Sequence, residues 1–111
     1  MKETSVLNKK ILETFELLKN RPLMVVSKDD SYSLMQNYIE GYVDGMSLFL
    51  NKNLRLQITQ WYQKKINVSD THIYWTAHIP FHFAGKGERE QSAILIEITA
   101  AYFKENPDFF A

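Results

Sequence analysis

Ser31–Leu50, SYSLMQNYIEGYVDGMSLFL, is too apolar around its circumference to be an ordinary surface helix. At 3.6 residues per turn, Leu34, Tyr38, Tyr42, Gly45 and Phe49 fall along one line. Met35, Ile39, Val43, Met46 and Leu50 continue round from it, so the apolar arc spans roughly 200°. A surface helix usually buries an arc of about 100°. The pattern predicts a helix covered by neighbours on two sides, and therefore at the centre of its domain. Gly41 and Gly45, one turn apart, predict a second helix crossing closely where no Cβ intervenes, since each glycine costs about 1 kcal/mol against alanine. Ser33, Gln36, Asn37, Glu40, Asp44, Ser47 and Asn51 form the thin polar strip that remains.

Other helices follow from the same spacing rule. Residues 4–20 repeat Leu7, Ile11, Phe15 and Leu18 on one side, with Thr4 or Ser5 as cap. Pro22 ends that run, because the residue before a proline is driven out of the α region. Asp29, Asp30 and Ser31 supply cap oxygens for 31–50. Residues 54–66 place Leu54, Ile58, Trp61 and Tyr62 inward. Glu88–Lys104 places Ile94, Leu95, Ile98, Ala101 and Tyr102 on one face. Between them, 72–83 is ambiguous: Trp75 and Ile79 share a helical face, but Pro80 ends or kinks a helix. The fold expected is an all-α bundle of about four helices around 31–50. A small hairpin pairing 72–83 with the β-branched 93–99 is the α+β alternative.

The 111 residues are enough for one domain, 1–111, with a self-sufficient core. The chain has no cysteine, which removes disulfides and thiolate chemistry and fits a reducing cytoplasm. No apolar run reaches the roughly 18–20 residues that span a bilayer. MKETSVLNKK lacks the apolar stretch of a signal peptide, so the chain is expected to stay in the cytoplasm where it is made. Formal net charge is zero, which argues against a general nucleic-acid binder.

That neutral total conceals segregation. Asp29, Asp30, Glu40 and Asp44 lie together with no base among them, and Lys52, Arg55, Lys64 and Lys65 lie together with no acid. Solvated faces of opposite sign explain this; so does an acidic surface for a basic partner. Asp29, Asp30, Gln36, Asn37, Glu40, Asp44 and Ser47 are the partner-binding candidates on the second reading. The basic group, with Trp61 and Tyr62, suggests a small nucleic-acid patch as the rival. His78 and His82 stand at a metal-binding spacing that Pro80 spoils, and no third ligand is announced. Neither a nucleophile with its base nor a phosphate-cradling glycine loop is visible, so no enzyme activity, metal or cofactor is expected.

Arg21-Pro22, Ser33-Leu34, Tyr38-Ile39-Glu40-Gly41-Tyr42, Gln60-Trp61, Trp75 and Tyr102-Phe103 occur in that order along the chain. This arrangement resembles small bacterial immunity proteins encoded beside polymorphic toxins, those of contact-dependent growth inhibition systems (CdiI type). The chain departs from that pattern at 25–30 and 78–82. The resemblance implies a monomeric inhibitor that binds one cognate protein toxin, commonly a basic nuclease domain, with no catalysis of its own. An acidic strip facing a phosphate-binding active site would both steer association and occupy that site.

Overall fold

A computed structural model describes residues 2–20, 31–68 and 73–107. Among these described residues there are five helices: α1 (Lys2–Asn20), α2 (Tyr32–Leu50), α3 (Leu54–Lys65), α4 (Trp75–His82) and α5 (Glu88–Glu105). No strand occurs among the described residues; 75–82 and 93–99 are helical, and the hairpin alternative falls. The fold is all-α.

The joint between α2 and α3 is written in short polar side chains. Ser31 is extended, and its hydroxyl accepts the Leu34 amide at 3.4 Å, capping α2. The α5 residue Glu88 adds a carboxylate oxygen 3.1 Å from the Tyr32 amide. At the other end Asn51 is left-handed (φ 54°, ψ 47°), a conformation asparagine tolerates, and Lys52 donates back to the Ser47 carbonyl at 3.0 Å. Ser47 then accepts the first amide of α3, Leu54, at 3.1 Å, while Asn53 accepts Leu56. Two helices are thereby tied across a three-residue turn.

The fourth helix is held from outside. None of its own side chains caps it; Thr59 of α3 accepts the Trp75 amide at 3.1 Å. Pro80 does not end it, and the helix continues to His82. A proline has no N–H, so the carbonyl of Thr76 one turn earlier loses its normal partner. The Tyr32 hydroxyl donates to that carbonyl instead. Trp75 is fully buried, and its indole N–H donates to Thr99 of α5 at 2.9 Å.

The core joins Ile11, Phe15 and Leu18 of α1, Met35, Ile39 and Val43 of α2, Leu54 and Ile58 of α3, Trp75 and Ile79 of α4, and Leu95 and Phe103 of α5. Phe15 stacks on Phe103 at 5.8 Å between ring centres and meets Tyr42 edge-on at 5.7 Å. α5 packs against each of the other four helices, most extensively against α1. The centre is therefore α5, not 31–50. Burial on several sides also explains how the β-branched run in α5 stays helical, because tertiary packing overrides a weak local preference.

Two further expectations are corrected. The α3 stripe is rotated: Thr59 and Gln63 are buried beside Ile58 and Tyr62, and Trp61 is only half-buried. Trp61 lies at the edge of the core, edge-on to Tyr102 at 5.6 Å. Among the described residues no helix crosses α2 at its glycines: a Cβ at Gly41 or Gly45 would have nothing within 4 Å.

Candidate protein-binding surface

The polar strip of α2 is not a row of free carboxylates. Arg55 of α3 reaches across and forks onto Asp44 with bonds of 2.9 and 2.7 Å, and its guanidinium is 3.7 Å from Glu40. It also lies over the Tyr74 ring, 5.2 Å from the centroid. The bond to Asp44 raises the already high pKa of Arg55, so the cation is permanent. Glu40 keeps only 17% of its side chain exposed and accepts the Thr76 hydroxyl at 2.6 Å. Gln36 sits 3.4 Å from the same hydroxyl and 3.5 Å from the same carboxylate. One member of the basic group, Arg55, thus closes on two of the acidic group, Glu40 and Asp44.

The remaining candidates divide. Ser47 is engaged twice, donating to Val43 at 2.9 Å and accepting from Leu54. Asn37 faces solvent. Asp29 and Asp30 lie outside the described residues. Of the bases offered to the nucleic-acid rival, Arg55 is engaged as described, and Lys65 pairs with Glu105 at 2.7 Å while lying over the Trp61 ring. Lys65 also holds the Glu105 carboxyl below its usual range.

Histidine chemistry is placed less openly than its spacing suggests. His78 is buried, its ring 5.9 Å from that of the exposed His82 and edge-on to Tyr62 at 6.0 Å. The Gln63 amide lies 3.4 Å from His78 Nε2. Among the described residues no group of three possible ligands is gathered that would hold a metal; His72 lies outside them.

What the sequence argument missed is the other side of α2. Its buried residues are Tyr32, Met35, Ile39 and Val43, a single stripe rather than two. Leu34, Tyr38 and Tyr42 are half-buried, whereas Gly41 and Gly45 are exposed. Leu48 and Phe49 stand 86% and 84% exposed at the C-terminal end of the helix. Beside them a groove of about 530 Å³ is lined by Asp44, Ser47, Leu48, Asn51, Lys52 and Asn53. Large apolar side chains exposed together beside a polar rim are a feature of protein, membrane and ligand contact sites. The signal is in the sequence: the apolar arc of 31–50 is wider than the other described residues cover. Among the described residues, no helix is long and apolar enough to cross a membrane. Comparison with family models, curated proteins and solved structures gives no match to this chain.

Proposed function

We propose that this chain is a protein-binding module which neutralises a cognate toxin domain, a nuclease, in the cytoplasm of the cell that makes it. The partner's identity comes from the resemblance to immunity proteins. The observation that supports a binding role is the exposure of Leu48 and Phe49 beside the Asp44 groove. Binding energy at protein interfaces concentrates in a few buried apolar and aromatic anchors ringed by polar groups, and these two residues have that form. The carboxylates play a lesser part than their number suggests. Glu40 is tied to Thr76 and Arg55, and only Asp44, about half exposed and paired with Arg55, borders the groove.

The test is a titration against the toxin domain encoded immediately upstream, with growth protection as the cellular readout. Leu48→Asp with Phe49→Asp is expected to weaken binding by at least about 100-fold, a loss of ~2.7 kcal/mol, while circular dichroism stays unchanged. Full affinity in the folded double variant would move the interface elsewhere. Absence of any binding by the wild-type chain would end the toxin reading.

A further inference from the structure

We infer that two copies of this chain pair through the solvent face of α2, the helices crossing antiparallel at Gly41 and Gly45. On a 3.6-residue helix, Asn37, Tyr38, Gly41, Gly45, Leu48 and Phe49 lie within about 60° of one line. Leu48 and Phe49 are almost fully in solvent, and the glycines have open space where a Cβ would stand. No charged residue falls on this line. Glu40 and Asp44 sit off its edge and are drawn towards α3 by Arg55. A second copy therefore meets no like charge along this line.

The face is also complementary to itself. Measured from Val43, the two glycines are symmetric, and beyond them Tyr38 on one side balances Leu48 and Phe49 on the other. In an antiparallel crossing about a two-fold axis, Gly41 of each copy lies opposite Gly45 of its mate, and Phe49 lies against Tyr38. Both contacts occur twice, which is what a closed two-fold interface requires. Two bare backbones permit the short end of the usual 8–10 Å range of interaxial distances. The area available is on the order of 500 Å² per copy, near the lower limit for a specific interface, so the dimer is weak, with a Kd in the micromolar range or above. The pairing covers Leu48 and Phe49, the residues proposed above to meet the toxin, so dimer and toxin complex exclude one another; sedimentation of the chain alone tests only the pairing.

Sedimentation equilibrium of the full chain, from about 5 µM to about 1 mM, is the test. The mass is expected to rise from 13.1 kDa towards twice that value. Phe49→Glu is expected to remain monomeric throughout. Gly45→Leu supplies a second reading: within one chain the leucine has room, so the monomer keeps its melting temperature or gains, while dimerisation weakens at least about tenfold by steric separation of the helices. A monomeric mass at every concentration would overturn the inference, leaving the face bare or covered by the chain's own remaining residues. A dimer that survives both variants would overturn it too, by placing the contact elsewhere.

Discussion

The hydroxyl of Tyr32, at the first turn of α2, donates to the backbone carbonyl of Thr76, 44 residues further on. That carbonyl is the one Pro80 deprives of an amide. Tyr32→Phe removes the donor and leaves a buried acceptor unsatisfied, a loss of about 1–3 kcal/mol. Pro80→Ala restores an N–H one turn later, so in that background Tyr32→Phe is expected to cost less than half as much. Urea melts of the two single variants and the double variant measure the coupling. Additive losses would mean that the hydroxyl is not compensating for the proline.

Alkaline pH tests the same residue differently. Burial, aided by Glu40 and Tyr62, raises the Tyr32 pKa well above the usual tyrosine value, and burial also raises those of Tyr62 and Tyr102. In the unfolded chain these groups ionise near pH 10. The folded state holds its protons longer, so this contribution is complete below about pH 10 and declines as pH rises beyond it. Each such tyrosine steepens the decline by up to about 1.4 kcal/mol per pH unit. Melts at about pH 9–11 should show a shallower fall for Tyr32→Phe than for the wild type. Parallel curves would place the alkaline sensitivity on the other two.

Glu40 and Asp44 share Arg55 but should not be equivalent. Asp44 has 49% of its side chain in solvent, where an ion pair is worth at most about 1 kcal/mol. Glu40 is mostly enclosed and accepts the Thr76 hydroxyl. Glu40→Ala is expected to cost about 1–3 kcal/mol and Asp44→Ala less than about 1. Reversing both to lysine would set two new cations against Arg55 and should lower stability clearly. Equal losses in the alanine variants would contradict the burial difference.

The tryptophans offer an optical check. Trp75→Ala should cost about 3–5 kcal/mol, because the ring is enclosed and its N–H is bonded to Thr99. Trp61→Ala should cost markedly less. In Trp61→Phe the remaining fluorescence, from Trp75, should be blue-shifted and resist acrylamide; in Trp75→Phe the Trp61 signal should be quenched readily. The reverse pattern would rotate α3 back to the stripe Leu54, Ile58, Trp61.

Glycine substitutions separate the monomer's needs from anything outside it. With no atom within 4 Å of a Cβ at either position, Gly41→Ala and Gly45→Ala should each stabilise a dilute sample by up to about 1 kcal/mol. A drop in melting temperature under those conditions would reveal a close contact within the chain.

Much of this architecture is legible locally. Leu7, Ile11, Phe15 and Leu18 announce α1, and Ser31 and Asn51 bracket α2 as cap and turn. The fourth helix is not legible, because its support comes from Thr59 and Tyr32, distant in sequence, while Pro80 argues against it nearby. The acidic strip misled for a related reason: charges tallied segment by segment hide Arg55, which belongs to the basic segment and closes on the acidic one. The apolar width of 31–50 was visible, but periodicity cannot say whether the far side meets the chain itself or something else.

The position of α5 has a consequence for how the protein comes into being. On the ribosome, residues 1–87 emerge first, carrying Ile11, Phe15, Ile39, Ile58 and Trp75 with no fifth helix to close upon. Pairing α1 with α5 joins the two most distant helices of the chain, a contact whose closure entropy is met only at the end. Nascent chains therefore present an unsealed apolar cleft until Leu95, Ile96 and Phe103 have left the exit tunnel.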